Sequence, residues 1–551
     1  MERDRHQRRS EGRLSVKIAV DATRTQGPLG RHWAWFGYDE PNYTTMPHGR
    51  KLLGDLARLS DAPVYVRAHN LLTSGDGTPA LKWGSTGVYE EDAQGAPVYS
   101  WSILDGIFDA YVEAGVVPFV QLGFMPKALS VAPEPYQHDF PRTAITTGWA
   151  QPPKDFARWG ALIEAVAAHF AQRYGKARVE SWPWELWNEP DGLYWRGTVE
   201  EFCRLYEVTA AALKRILPGA RIGGPHTCGP FSTKSGGPFL RQFLDHVDKA
   251  RAAGNAPSLD FIAYHAKGRP SLHQGSVRMG LATQLRDIAT GVEIAHSFPS
   301  LRGLPIVLGE SDPEGCAACP ARTHPENAYR DGPLYAAYTC EQLFRTQEIA
   351  ARAGVAIEGA VTWAFEFEGE PLFAGYRELA TNGIAKPVLN LFRMLGRMGK
   401  TRLAATSSGA LTLDAVLANG VRSAPDVNVL AAAGEGGRVA ALIWHYHDDD
   451  LPDAPAAAID LAIGGLPPGT QEWHVEHWRI DGSHSNAHAA WQRMGGPRPP
   501  SPEQFAALEK ASGLETLGTP RGIVAADGAI RLGFDLPPQG VSLIEARPAQ
   551  R

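Results

Sequence analysis

Eight short apolar runs, separated by amphipathic stretches, constrain this chain more than any other feature. They lie at 33–37, 64–68, 118–122, 184–187, 221–224, 261–264, 306–308 and 360–365. Strands alternating with helices build parallel sheets, and eight such units close into a (β/α)8 TIM barrel. In 155–174 the residues Phe156, Trp159, Ile163, Val166 and Phe170 recur every three or four positions, which lays one apolar stripe against a sheet. Residues 200–217 repeat the pattern with Phe202, Leu205, Tyr206, Ala210, Leu213 and Leu217, and Pro218-Gly219 stops it. Residues 102–114 make a third such helix, followed by Gly115.

After about residue 395 the texture changes. Short β-like runs at 426–430, 438–446, 457–463, 471–480 and 540–546 alternate with Gly, Pro and Asp clusters, the pattern of a β-sandwich. A lone β-like run at 17–21 precedes the barrel and is expected to join that sandwich. The expected organisation is therefore an α/β chain with a tail at 1–14, a sandwich strand at 15–29, a catalytic barrel at 30–395 and a β-sandwich at 396–551. Residues 493–502, rich in Pro and Gly, read as a loop.

Composition excludes some classes of function. With 54 Lys and Arg against 60 Asp and Glu, no basic bias exists to neutralise a phosphate backbone, so no nucleic-acid partner is expected. No run of 18 apolar residues points to a membrane span, and the charged N-terminus lacks the apolar stretch of a secretory signal. A cytoplasmic location is expected, and the oligomeric state is left open. The five cysteines (Cys203, Cys228, Cys316, Cys319 and Cys340) are odd in number and sparse, which argues against a disulfide framework. Cys316-Ala317-Ala318-Cys319 reads first as a structural loop, then as a redox or disulfide pair, and least as a metal site. Residues 445–450, His-Tyr-His-Asp-Asp-Asp, read as a solvated turn rather than a metal site. The 15 Trp fit sugar-stacking faces or simply a core.

Two strand ends carry the chemistry. Residues 184–191, Trp-Glu-Leu-Trp-Asn-Glu-Pro-Asp, are a strand that stops at Pro190. Alternation places Glu185, Trp187 and Glu189 on one face, with Glu189 at the rim where barrel active sites sit. Residues 304–313 repeat the arrangement and end at Glu310. Two carboxylates across one cavity, about 5–5.5 Å apart, are what retaining glycoside hydrolysis uses, one as nucleophile and one as acid/base. Such a pair needs no cofactor or metal, and none is expected.

These residues carry a resemblance. Trp187-Asn188-Glu189-Pro190 resembles the acid/base signature of the barrel glycosidases that place catalytic residues on strands four and seven. With it come 65–69 (Tyr-Val-Arg-Ala-His), 118–126, 223–225, 260–265 (Asp-Phe-Ile-Ala-Tyr-His), 335–338 and 382–387, in consistent order across about residues 30–400. The set resembles glycoside hydrolase family 39, which holds β-xylosidases and α-L-iduronidases, and its texture is nearest the bacterial β-xylosidases. The resemblance implies Glu189 as acid/base, Glu310 as nucleophile and Asn188 on the sugar 2-hydroxyl. It also implies that His69, Phe124, His265 and Trp363 line the sugar site. His265-Ala266-Lys267-Gly268 and the segment after Glu310 lean toward the iduronidase pattern, in which Lys267 and Arg377 would hold a substrate carboxylate. The alternative pairs Lys267 with Glu366, Glu368 or Glu370 and leaves a neutral pocket. The expected reaction is removal of terminal non-reducing β-D-xylosyl residues from oligosaccharides. The alternatives are iduronidase or arabinosidase activity, and a carbohydrate-binding protein without catalysis.

Overall fold

The computed structural model describes residues 14–549 apart from 136, 140–143, 147, 452 and 467–471. The tail expected at 1–14 lies outside the described residues except for Leu14. Eight parallel barrel strands run in chain order: Trp35–Tyr38, Tyr65–Ala68, Val117–Leu122, Pro183–Leu186, Arg221–Thr227, Phe261–Lys267, Ile306–Asp312 and an eighth in two pieces. The first piece, Ile357–Ala360, pairs with the seventh strand, and Thr362–Trp363 pairs with the first, which closes the barrel. Several strands run one to four residues beyond the apolar runs, because their polar ends point into the barrel mouth.

The helices follow their caps. Asp155 accepts from the N–H groups of Ala157 and Arg158 and starts Phe156–Tyr174, whose Trp159, Ile163, Val166 and Phe170 are fully buried. Thr198 and Glu201 form a capping box at Val199–Ile216. Ser102–Ala114 ends at Gly115, whose φ of 88° suits glycine.

The barrel interior is layered. Its N-terminal end is an aromatic plug in which Trp35 stacks on Tyr65 at 3.9 Å and Phe119 meets Phe261 at 5.8 Å. Above the plug the interior turns ionic, with Arg67, Gln121, Glu185 and His226 fully buried. Trp159, Trp184, Trp187, Trp444 and Trp473 are also fully buried, so much of the tryptophan serves the core.

The second unit is one continuous mixed sheet, folded over an apolar core into a sandwich. The strand Ser15–Pro28 lies inside it, parallel to Ala457–Gly464 and antiparallel to Thr401–Ser407. Residues 494–501 form a loop, and Pro502 already opens the helix Pro502–Ala511. No helix among the described residues is long and apolar enough to cross a membrane.

A buried ion cluster joins the two units. Arg345, on the barrel helix Pro333–Ala353, pairs with Glu341 at 2.6 Å and with Asp426 of the sheet. Trp444 of the sheet donates to Glu341 at 2.6 Å. Removing one member of such a cluster leaves buried charge without its counterpart. Arg345→Ala is expected to destabilise the protein by about 3–5 kcal/mol, read from denaturant unfolding. Arg352→Ala, which breaks an exposed pair with Asp414, should cost about 0–1 kcal/mol.

Candidate active site

The C-terminal rim of the barrel brings Glu189 and Glu310 together. One oxygen of each, with a ring nitrogen of His265, all lie within 4.8 Å of one another. Such a cluster could in principle ligate a metal, but cations already occupy the surroundings of Glu310. Lys267 Nζ is 2.6 Å from Glu310 Oε2, and Arg67 Nη1 is 3.3 Å from Oε1.

Local backbone irregularities aim these side chains. The fourth strand ends at Leu186, and Trp187 and Glu189 then adopt φ of 67° and 43°, left-handed values that cost a non-glycine residue roughly 1–3 kcal/mol. Backbone bonds from Trp187 N–H to Leu122 O (3.2 Å) and from Glu189 N–H to His226 O (2.9 Å) hold them there. Simple alternation therefore describes Glu185 but not Trp187 or Glu189, which lie beyond the strand. The seventh strand slips register against the sixth, so that Tyr264 faces Leu308 and His265 faces Glu310. This bulge skips Gly309 and turns Glu310 inward. A Cβ at Gly309 would lie 2.2 Å from His226 Nδ1 and 3.0 Å from His265 Nε2, so the position has no room for a side chain. The fifth strand slips likewise at His226.

Arg67 ties the cluster together. Its Nε meets Glu185 at 2.6 Å, Nη2 donates to Asn188 Oδ1 at 3.1 Å, and Nη1 reaches His69 Nε2 at 3.2 Å. Its guanidinium also lies 4.9 Å from the Trp363 ring. Because arginine only donates, His69 Nε2 accepts, and the His69 ring proton sits on Nδ1, 2.7 Å from Asp39. Lys82 pairs with the other oxygen of Asp39. Trp363 and Phe124 flank His69, at ring distances of 4.2 and 6.1 Å.

The two glutamates are shifted in opposite directions from the ordinary carboxylate. Burial, with the charge of Glu310, pushes Glu189 up to about 6. Burial also opposes ionisation of Glu310, but Lys267 leads a set of neighbouring positive groups that holds it well below the usual carboxylate range. Burial pushes His265 down to about 3, so His265 is neutral and the compensating charge on Glu310 comes from Lys267 and Arg67. His265 Nδ1 lies 2.9 Å from Glu189 Oε1 and 3.7 Å from Glu310 Oε1, poised between the pair.

The expected partners of Lys267 are corrected. Lys267 bridges Glu310 and Asp312, the latter at 2.5 Å, and does not pair with Glu366, Glu368 or Glu370. Glu366 instead accepts from Gly383 N–H, and burial pushes its acid up to about 8. Arg377 approaches the same Asp312 oxygen as Lys267, at 3.6 Å, from the buried side. It is fully buried, pairs with Glu314, and donates to the Trp363 carbonyl at 3.0 Å. Cys316 and Cys319 form a disulfide in the loop after Glu310, where a plain structural loop was the first reading. Arg67, Glu185, Asp39, Lys82 and Asp312 were not singled out as site residues. The signal for two of them was a charged residue inside an apolar strand, Arg67 two positions before His69 and Glu185 four before Glu189.

Comparisons with known proteins agree with this geometry. The profile of "Glycosyl hydrolases family 39" matches residues 16–526. A β-xylosidase of Caldicellulosiruptor saccharolyticus is 28% identical, covering 93% of this chain and 95% of that protein. Human α-L-iduronidase is 26% identical, covering 90% of this chain and 73% of that protein. The crystal structure of a monomeric β-xylosidase from Caulobacter crescentus superposes with a TM-score of 0.75 at 21% identity, covering 97% of this chain and 100% of that one. A barrel of this topology, a carboxylate pair at the ends of strands four and seven, and a profile spanning nearly the whole sequence together make the chain a member of glycoside hydrolase family 39 and an O-glycoside hydrolase.

Proposed function

We propose that the chain is a retaining exo-β-D-xylosidase that releases terminal non-reducing xylosyl residues from short oligosaccharides. The carrying observation is the Glu189–Glu310 pair, with oxygens inside 4.8 Å and with carboxyls shifted in opposite directions, Glu189 up and Glu310 down. That separation leaves no room for the water that an inverting enzyme places between its carboxylates. The ionised Glu310 attacks the anomeric carbon while Glu189 gives its proton to the leaving oxygen, and a glycosyl-enzyme forms. Water then attacks the anomeric carbon, Glu189 takes its proton, and the bond to Glu310 breaks. Asn188, fixed by Arg67, is placed for the sugar 2-hydroxyl. His69, Phe124 and Trp363 wall the ring.

The ionic balance favours a neutral sugar. Arg67 faces Glu185 and Glu310, Lys82 faces Asp39, Lys267 faces Glu310 and Asp312, and Arg330 and Arg377 face Glu314. Each of these cations already has a carboxylate. One observation favours the second reading, an α-L-iduronidase-like activity. Lys267 and Arg377 both approach one oxygen of Asp312, at 2.5 and 3.6 Å, so two cations meet beside Glu310. The proposed location is the cytoplasm, and the Cys316–Cys319 disulfide is the observation that speaks for an oxidising compartment instead.

A panel of aryl glycosides (β-xyloside, α-L-arabinoside, α-L-iduronide, β-glucuronide) tests the substrate. The β-xyloside is expected to be turned over fastest; a wild type inert on all four would sink the reading. Glu310→Ala should abolish turnover, and azide should restore part of it as an inverted glycosyl azide. Glu189→Ala should slow substrates with poor leaving groups far more than activated ones, and equal losses would count against its role. The pH dependence of kcat/KM should follow the two carboxyls. Rate requires Glu189 protonated, so it should fall as pH rises through about 6. It requires Glu310 ionised, so the acid limb should lie well below 4.5.

A further inference from the structure

The segment 445–450 is not the solvated turn that its run of aspartates implies. Asp448 is fully buried, and it accepts from Tyr446 Oη at 2.9 Å and Val421 N–H at 3.2 Å. The turn is stiffened further by Gln539, which donates to the carbonyls of His447 (3.3 Å) and Asp449 (3.2 Å).

This turn belongs to the sheet unit, yet it grips the barrel loop that follows Lys267. The sixth strand ends at Lys267, and a hairpin follows, with arms Ser271–His273 and Ser276–Arg278. Arg278 forms a two-pronged pair with Asp449, one prong at 2.8 Å from Nη2 to Oδ2 and the other from Nε to Oδ1. Backbone bonds flank it, from Met279 N–H to Asp448 O at 2.7 Å and from Asp450 N–H to Val277 O at 2.9 Å.

The helix after the hairpin, Leu281–His296, carries the restraint back to the reacting carboxylates. Asp287 accepts from Lys267 N–H at 3.2 Å and from the N–H groups of Phe231 and Ser232 on the loop after the fifth strand. Gln284 donates to Ser311, the neighbour of Glu310, at 3.1 Å and accepts from Tyr338 at 2.5 Å. Tyr338 meets Tyr446 of the sheet unit edge-on at 5.9 Å. Gly268 N–H is bound to Asp312 O at 2.9 Å, so the chain just past Lys267 is pinned to the seventh strand.

We propose that the Asp448–Asp449–Asp450 turn of the sheet unit is a positioning element of the active site. Through Arg278 it fixes the loop and helix that hold Lys267 against Glu310. Asp449 and Arg278 touch no substrate. They act through Lys267, whose ammonium keeps the nucleophile ionised and correctly turned. The appended sheet is thus part of the catalytic apparatus as well as of the fold. This inference rests on Glu310 being the nucleophile.

The test uses the full chain and whichever aryl glycoside the wild type cleaves. Arg278→Ala and Asp449→Ala, singly and together, should each lower kcat by about tenfold or more with KM little changed, because a misplacement of the order of 1 Å far from the chemistry is enough to do so. The double variant should be no worse than either single one. The acid limb of the pH profile should move up toward the ordinary glutamate range, since Lys267 is no longer held on Glu310; His265, His69, Arg67, Asp39 and Glu189, the other groups around Glu310, are unaltered. Arg278→Lys should restore part of the rate. Asp449→Asn keeps the shape of the turn and removes the charge, and it decides the matter should the alanine variants fail to fold. Arg352→Ala, at an exposed pair elsewhere on the barrel, should leave rate and profile unchanged. A lower melting temperature with unchanged kcat and an unmoved acid limb would overturn the proposal. A wild type with no glycosidase activity would instead overturn the reading beneath it.

Discussion

Everything at the barrel mouth depends on one buried guanidinium. Arg67 is fully buried and simultaneously engages Glu185, Asn188, His69, Glu310 and the face of Trp363. A charge taken out of water is tolerable only when its donors are matched, and the planar fork of arginine can serve several acceptors at once. The other inward residues follow from that demand. Glu185 must be ionised at the centre of the barrel, where burial alone would keep it protonated, and Arg67 holds it below the usual range. His226 then closes the remaining side of Glu185 at 2.6 Å, and the bulge in the fifth strand exists where His226 enters. The catalytic geometry is therefore built on an ionic layer that rests on the aromatic plug of Trp35, Tyr65, Phe119 and Phe261.

The same layer explains how two glutamates close together can differ in protonation. Glu310 has a 6% exposed side chain and two cations within hydrogen-bond reach. Glu189 keeps 21% of its side chain exposed and faces a neutral imidazole. Burial raises the acid form of both, and only the cations discriminate between them. An ionised neighbour then adds to the cost of ionising Glu189. The residual exposure of Glu189 suits its proposed role, since an acid/base gives its proton to the leaving group and takes one from the incoming water, whereas a nucleophile carries none.

What the sequence disclosed and what it hid divide along a physical line. Periodicity revealed the eight barrel strands, the helices between them and the late β-rich unit, because burial of one face repeats at a fixed spacing. Trp187-Asn188-Glu189-Pro190 and the strand ending at Glu310 located the carboxylates by strand termination. The bulges at His226 and Gly309 were invisible, because a bulge is an exception to the period that alternation assumes. The left-handed backbone at Trp187 and Glu189 was equally hidden, since neither residue type announces it. Ion pairing was misjudged for Lys267 and Arg377 because their partners, Asp312 and Glu314, lie at and just past the end of the seventh strand, far from both in sequence. Three aspartates in a row read as solvent-facing, yet Asp448 is tied up by Tyr446 and Val421 of its own unit, and Asp449 by Arg278, which comes from the barrel far away in the chain.

Under the proposed assignment of Glu310 as nucleophile, Lys267 is where specificity and catalysis meet. Its ammonium lies 2.6 Å from Glu310 and 2.5 Å from Asp312, two strong acceptors already fixed by the strand. A sugar bearing a carboxylate would bring a further negative charge into a site whose cations are all matched. To bind it, Lys267 would have to turn from Glu310, and the nucleophile would then lose the charge that keeps it ionised. Arg377 could not compensate, because it is fully buried against Glu314. In the proposed reading a neutral sugar makes no such demand: it would bind through Asn188 and the walls of Trp363 and Phe124 while Lys267 stays on Glu310. In the proposed reading the arrangement that keeps Glu310 ionised is thus the same one that weighs against an acidic substrate, and it does so through the energetics of a single ammonium group.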